Sequence, residues 1–310
     1  MKYVGYKMDF TTALHIGKRK LEDAESAIYA DTVFSALCHE ALIQGGEESL
    51  NHLVELTEAN HLKLSDAMPF HNNTYYVPKP MLLISGDERA DSNIKKAAKK
   101  LPYVPVDLLD KFIAGDMDVQ AELEIYETMG IGEVRTMASV KENDDTMPFQ
   151  VGSYRFNRNW GLYLVIGYED EDTLYFIEDL LIGLGYSGIG GKRSSGMGKY
   201  TLMAAKLPDS MTARLTERGE NGVYMNLSPG MASDDELKEV IDNARYMLIR
   251  RSGFVSSSTY AERPLKKKDF YAFKAGSVFT RTFDGLLRDV SGEGTHPVYR
   301  YAKPVFMEVE

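Results

Sequence analysis

Apolar positions change period along the chain, and each change marks an element. Residues 2–10 alternate loosely around Tyr3, Val4, Tyr6, Met8 and Phe10, the pattern of a strand. Phe34, Leu37, Cys38, Ala41 and Leu42 then fall at helical spacing, which predicts a helix capped by Asp31 or Thr32 and stopped at Gly45-Gly46. A second helical stretch runs through Leu50, Leu53 and Val54. The segment 66–106 carries prolines at 69, 78, 80, 102 and 105 and reads as irregular. Across 116–160, Val/Ile/Glu alternation, a break at Gly130-Ile131-Gly132, a polar stretch and then the strand VGSYRFN predict an extended hairpin or protruding arm. GLYLVIGY at 161–168 is the clearest strand. Residues 169–185 are the clearest helix, with Leu174, Ile177, Leu181 and Leu184 on one face and acids at the start, where the helix dipole favours them. A glycine-rich segment at 185–198 precedes a strand at 199–207.

Beyond Pro208 a second unit begins. Residues 223–231 read as a strand and turn, and Ser233-Asp234-Asp235-Glu236 is a capping box opening a helix with Leu237, Val240, Ile241 and Ala244 on one face. Three later segments, 246–258, 267–279 and 296–309, read as strands. Strand, helix, strands, helix, strand is the order of a ferredoxin-like unit. The expectation is therefore an α+β chain of two tandem ferredoxin-like (RRM-like) domains, 1–207 and 208–310, the second reduced.

Composition narrows the function classes. The 310 residues suit two domains, and 44% hydrophobic residues supply real cores. The longest apolar runs are as short as 180–184, and charge stands at the N-terminus where a signal peptide needs an apolar stretch. Cys38 is the one cysteine, so a cysteine metal cluster is excluded and no metal or cofactor is expected. These features predict a cytoplasmic protein. A net charge of −10 argues against general nucleic-acid affinity. The cations are clustered, however, at Lys18-Arg19-Lys20, Lys192-Arg193, Arg250-Arg251 and Lys266-Lys267-Lys268, while acids gather at 169–172 and 234–236. Such a chain can hold one RNA in a fixed groove and repel it elsewhere; the plainer reading of each cluster is a solvated surface. The acidic faces are expected to steer partner proteins.

The glycine-rich segment carries the chemistry. Within 185–198 stand six glycines, with Lys192, Arg193 and the hydroxyls of Ser187, Ser194 and Ser195. Glycines permit positive φ, so that successive N–H groups can face an anion. Lys192 and Arg193 add charge and the serines add donors, the parts of a phosphate grip. Two nucleotide motifs are excluded by counting. Arg193 stands five before Gly198 and Tyr200 follows Lys199, which breaks a Walker A loop; Arg193 also occupies the last glycine position of a dinucleotide fingerprint. The alternative is a plain connector, with Gly185 capping the preceding helix.

GYSGIGGKRSSGMGKY at 185–200 resembles the glycine-rich loop of the RAMP superfamily of CRISPR proteins. HIGKRKLEDAESAIYADTVFSALCHEA at 15–41, YYVPKP at 75–80, LPYVP at 101–105, FNRNWGLYLVI at 156–166, RSGFVSS at 251–257, KAGSVF at 274–279 and HPVYRYAKP at 296–304 resemble the fourth-subunit family of the type III-A (Csm) interference complex, nearly end to end. The resemblance implies a non-catalytic RNA-binding subunit. It would bind the 5′ tag of the CRISPR RNA and touch the large signature (polymerase/cyclase-like) subunit and the adjacent backbone RAMP subunit. A thumb hairpin inserted in the first domain, around 116–150 with Arg135 and Lys141, would disturb target RNA near the tag. The tag would lie on His15, Gly17, Lys18, Arg19 and Lys20, on Gly188, Gly190, Gly191, Lys192, Arg193, Ser194, Ser195, Gly196 and Gly198, and on Arg251, which opens RSGFVSS.

A CRISPR repeat-RNA processing endoribonuclease with His15 as general base is the alternative. Asp31 reads as a helix cap rather than an acid. Tyr186, Tyr299 and Tyr301 suit either base stacking or core packing, Trp160 and Cys38 suit the core, and Lys266-Lys267-Lys268 suits a solvated face.

Overall fold

The computed structural model describes residues 1–17, 20–82, 92–139, 147–217, 219, 222–257 and 259–310. The chain runs through β1 (Lys2–Phe10), α1 (Ala30–Glu58), β2 (Leu62–Leu64), β3 (Met68–His71), β4 (Thr74–Pro78), α2 (Ser92–Lys100), β5 (Tyr103–Pro105), α3 (Leu109–Ala114) and α4 (Val119–Glu127). A long hairpin follows, β6 (Gly130–Ser139) and β7 (Met147–Phe156), then β8 (Trp160–Tyr168), α5 (Glu171–Ser187) and β9 (Tyr200–Ala205). The C-terminal part contains α6 (Asp209–Thr216), β10 (Tyr224–Asn226), α7 (Asp234–Val240), β11 (Leu248–Arg251), β12 (Phe270–Phe273), β13 (Val278–Phe279), β14 (Leu286–Asp289), β15 (Tyr299–Ala302) and β16 (Phe306–Glu308).

The architecture is α+β with antiparallel sheets. The largest runs β5-β4-β3-β8-β1-β9, with β2 also on β8. β1 lies between β8 (Lys2 opposite Tyr168 through Met8 opposite Leu162) and β9 (Gly5 opposite Ala205 through Phe10 opposite Tyr200). Every residue of β8 is buried. Leu162, Leu164 and Ile166 join Tyr6 and Met8 under α1 (Phe34, Leu37) and α5 (Ile177, Leu181, Leu184). Tyr163 and Val165 face the opposite way, onto Met211 and Leu215 of α6, Met225 of β10 and Met307 of β16. A strand covered on both faces gains nothing from polar alternation, which accounts for the unbroken apolar run of GLYLVIGY. The C-terminal strands divide into small sheets, β13-β10-β16, β11-β12 and β14-β15.

Several expectations change. Segment 66–106 holds strands and a helix; Pro78 closes β4 and Pro105 closes the edge strand β5, where a missing N–H disturbs little of the ladder. The arm does not begin as extended chain. Residues 119–127 are helical because Asp118 caps Ala121 N–H at 3.0 Å and Val119 and Leu123 bury one face, so the hairpin spans 130–156 and not 116–150. Lys141 lies outside the described residues. Gly46 breaks α1 with φ 66°, but helix resumes beyond it. Gly185 lies inside α5, where a Cβ would stand 2.6 Å from Tyr200 O; the cap is Gly188. α7 stops at Val240, before Ile241 and Ala244.

Asp31 is not a cap. The N-cap of α1 is Tyr29, and Ala30 N–H donates instead to Asp66 Oδ1 at 2.7 Å. Asp31, fully buried, accepts from Arg251 Nε and Nη2 at 2.9 and 2.8 Å and from Arg300 Nη1, tying α1 to β11 and β15. Burial works against its charge, yet Arg251 and then Arg300 outweigh burial and hold the carboxyl below its ordinary 3.8. Lys267, half-buried beside this group rather than on a solvated face, is pushed down to about 8 by burial and by Arg300.

Because Asp31 has a lowered folded-state pKa, its contribution is present above its ordinary pKa and is lost as pH falls through the folded value. Asp31→Ala is expected to cost about 3–5 kcal/mol at pH 7, since two guanidiniums lose a buried partner. Urea unfolding from pH 7 down to pH 3 checks this; a deficit under about 1 kcal/mol at pH 7 would show that the triad contributes little.

Candidate nucleic-acid interface

The glycine-rich segment leaves α5 at Gly188, which has φ 82°. Ile189 and Met197 are buried, and Ile189 N–H donates to Gly198 O at 2.9 Å, closing the base of the loop. Lys192 adopts φ 59° and starts a single 3₁₀ turn, Arg193–Ser195, which Gly196 ends at φ 80°. The loop is bonded to the stretch after β1: Gly198 N–H donates to Ala13 O and Gly191 N–H to His15 O, each at 2.9 Å.

These contacts explain the glycines. A Cβ on Gly198 would stand 2.0 Å from Ile189 O, one on Gly190 2.5 Å from His15 O, and one on Gly191 2.6 Å from the His15 ring. The glycines admit the protein's own backbone, and the N–H groups of Gly188, Gly191, Gly196 and Gly198 are consumed within it. Among the described residues, the amides of Gly190, Lys192, Arg193 and Ser194 donate to no backbone carbonyl, so the donors left for an anion cluster beside the two cations.

His15 is the junction. It is buried, and its Nδ1 lies 2.5 Å from Gly152 O of β7. A carbonyl only accepts, so Nδ1 is the donor of this hydrogen bond. Next to it, Leu14 and Tyr154 exchange N–H···O bonds of 2.8 and 2.7 Å, and Gly152 N–H donates to Leu21 O at 2.9 Å. A Cβ on Gly152 would stand 2.2 Å from Glu22 O. The hairpin, the stretch after β1 and the glycine loop thus meet at residues 13–15. Lys192 Nζ completes the junction 4.6 Å from the Phe149 ring centroid.

The other expected residues scatter. Gly17 and Lys20 are exposed, Lys20 within 3.4 Å of Glu22, and Lys18 and Arg19 lie outside the described residues. Ser194 and Ser195 are exposed on the 3₁₀ turn. Arg135 pairs with Glu133 on the hairpin at 3.1 Å. Arg251 is committed to Asp31 and lies 4.3 Å over the Tyr29 ring, away from the loop's hydrogen bonds. Tyr186 is 78% exposed, whereas Tyr301 is buried with its hydroxyl accepting from Leu64 N–H; Trp160 is core. The sequence reading missed Gly152, Phe149 and the anchors Ile189 and Met197. The anchors had a signal, two apolar residues set in a glycine run; the Gly152 carbonyl, 137 residues from His15, had none.

A family model described as the CRISPR Csm4 C-terminal domain matches residues 220–309. The chain is 39% identical to the CRISPR system Cms protein Csm4 of Mycobacterium tuberculosis (strain CDC 1551 / Oshkosh) over 304 residues, covering 97% of this chain and 96% of that protein. It is 32% identical to the Streptococcus thermophilus protein of the same name over 320 residues, covering 100% of both. Among solved structures it is similar to a chain of a Csm3-Csm4 subcomplex of the type III-A CRISPR-Cas interference complex (TM-score 0.66, 18% identity, 99% of each chain). It is also similar to a chain of a Csm1-Csm4 cassette in complex with cA4 (TM-score 0.61, 16% identity, 100% of this chain and 98% of that one). No helix among the described residues is long and apolar enough to cross a membrane.

Two loop glycines separate packing from backbone strain. Gly198→Ala combines a positive φ with a blocked Cβ, whereas Gly196→Ala, at φ 80°, meets open space. Gly196→Ala is expected to cost about 1 kcal/mol and Gly198→Ala at least about 2 kcal/mol. Thermal melts check this; equal losses would mean that the close approach of Gly198 to the Ile189 backbone adds nothing.

Proposed function

The chain belongs to the Csm4 family of CRISPR proteins, and on that footing we propose that it is the RNA-binding structural subunit of a type III-A effector complex. In this reading it holds the 5′ tag of the CRISPR RNA and links the large signature subunit to the backbone filament in a cytoplasmic ribonucleoprotein for antiviral defence. The observation that carries it is the glycine loop: amides at 190 and 192–194 stand beside Lys192 and Arg193 on a base pinned by Ile189 and Met197. Phosphates of a single strand fit that donor set, and phosphate contacts position a strand without reading its sequence. The partner reading is supported by similar solved structures, in which Csm4 is paired with Csm3 and with Csm1.

The finer architecture belongs to the same proposal. Residues 1–207 form one ferredoxin-like domain, supported by strands β9-β1-β8-β3 in neighbouring order with α1 and α5 packed on one core. Residues 208–310 form a reduced second one. The β6–β7 hairpin is the thumb, reaching target RNA near the tag. Burial of His15 and the tie of its Nδ1 to Gly152 favour binding over catalysis, because a general base needs access to the proton it takes.

Anisotropy with tag RNA on the full chain tests the reading. Lys192→Ala/Arg193→Ala is expected to weaken binding about tenfold and to flatten the log–log salt slope by about 1.4, the release expected from two single-strand phosphates. Repeat RNA is expected to stay intact. Unchanged affinity and slope in the double variant would reduce the loop to a connector, and cleavage lost in His15→Ala would make the protein a nuclease.

A further inference from the structure

The two strands of the β6–β7 hairpin pair with each other and with no other strand among the described residues. A lone two-stranded hairpin is marginally stable in water, so its position depends on whatever ties it down. Ile131, Val134 and Met147 along it are exposed, and among the described residues 135–139 and 147–151 make no hydrogen bond to the body. The ties lie nearer the base. Phe156 stacks on Phe10 of β1 at 5.1 Å, and Tyr154 exchanges backbone bonds with Leu14. Gly152 is the outermost tie: it donates to Leu21 O and accepts from His15 Nδ1 at 2.5 Å.

His15 holds the glycine loop with the rest of its atoms. Its carbonyl accepts from Gly191 N–H at 2.9 Å, and its ring lies against Gly191, where a Cβ would stand 2.6 Å from Cδ2. The same buried residue therefore grips the loop by its backbone and the hairpin by its side chain. A second contact runs in parallel, since Lys192 of the loop lies over Phe149 of β7, three residues beyond Gly152. Gly152 is itself buried, so loss of the Nδ1 donor takes from its carbonyl a partner that water does not readily replace.

We propose that His15 is a positioning residue that makes the hairpin and the glycine loop one coupled unit, so that a strand held at the loop also steadies the hairpin. The inference rests on the reading that the loop holds an RNA strand. Fixing Gly190–Ser194 on a phosphate fixes the His15 carbonyl and ring that pack on Gly190 and Gly191, and the ring carries the constraint to Gly152. No change of shape is needed, because a joint already stiffened by one ligand has less freedom left to lose. Such coupling is reciprocal: if the strand steadies the hairpin, cutting the hairpin's tie loosens the hold on the strand.

Amide hydrogen exchange on the full chain tests this, with and without a short RNA limited to the tag. In the wild type, saturating RNA is expected to slow exchange in peptides covering 147–156 at least about threefold. His15→Leu keeps bulk and loses the donor; it is expected to abolish that response and to weaken tag binding at least about fivefold. His15→Asn, whose side-chain amide can donate to Gly152 O from near the Nδ1 position, is expected to restore most of both. Three results overturn the coupling: hairpin exchange indifferent to RNA in the wild type, a hairpin response kept in His15→Leu, or equal defects in the Leu and Asn variants. The second would mean that the strand touches the hairpin directly, and the third that the ring only fills space. The wild-type comparison needs no variant, so a His15 variant that failed to fold would leave the coupling open to refutation. Lys192→Ala/Arg193→Ala run in parallel separates the failures: if it weakens binding while the wild-type hairpin ignores RNA, the loop reading stands and the coupling falls; if it leaves binding unchanged, both fall.

Discussion

A strand buried on both faces has to be covered twice, and β8 sets this requirement for the whole chain. α1 and α5 cover Leu162, Leu164 and Ile166, while α6, β10 and β16 cover Tyr163 and Val165. The C-terminal part is therefore wall to the N-terminal sheet rather than an appendage, whatever boundary is drawn near 207. At roughly 25 cal/mol for each Å² of apolar surface removed from water, exposing the second face would forfeit the burial of several large side chains at once. Asp31 reinforces the same joint from the other side, since Arg251 and Arg300 come from C-terminal strands to a carboxylate at the start of α1. Such a triad adds little net stability over apolar packing, because desolvating three ions costs nearly what their attraction returns, although removing one member strands the others.

With both faces covered, the edges and ends of the sheet remain for ligands. The stretch between β1 and α1 leaves the end of the sheet, and two structures converge on it: the glycine loop through the carbonyls of Ala13 and His15, and strand β7 of the hairpin through Leu14 and the His15 ring. Glycine serves here chiefly for contact between backbones. Loss of side chains lets the loop close on residues 13–15, and that closure leaves the amides at 190 and 192–194 unused beside Lys192 and Arg193. In the proposed reading, preorganisation of this kind would lower the ordering cost of binding, because the donors are held in place beforehand.

Elements with a strong local signal were legible in the sequence. β1, β8, α5 and the capping box at Ser233 each follow from period or from residue type over a few positions. The misreadings share a cause, which is that the deciding partner is distant. Residues 119–127 alternate in a way that suits a strand, yet Glu122 is buried against the Tyr76 hydroxyl at 2.7 Å, a tertiary contact that selects the helix. Asp31 stands where a cap is expected, and its true partners lie 220 and 269 residues away. The same holds at the site: the cations and glycines of the loop could be named from the sequence, but the histidine's tie to Gly152 exists only once segments far apart are brought together.

The acidic balance of the chain is compatible with RNA binding because screening makes electrostatics local. At physiological salt the Debye length is about 8 Å, so an exposed carboxylate further away hardly weakens a phosphate contact. What matters is whether acids stand beside the cations concerned. Many surface cations here are matched: Lys2 with Glu171, Lys63 with Asp284, Arg214 with Asp110, Arg281 with Glu239. Lys192 is placed differently, its ammonium over the Phe149 ring rather than against a carboxylate. Local matching neutralises these cations and leaves Lys192 unmatched beside the glycine loop, so an excess of acids elsewhere does not by itself close that surface to RNA.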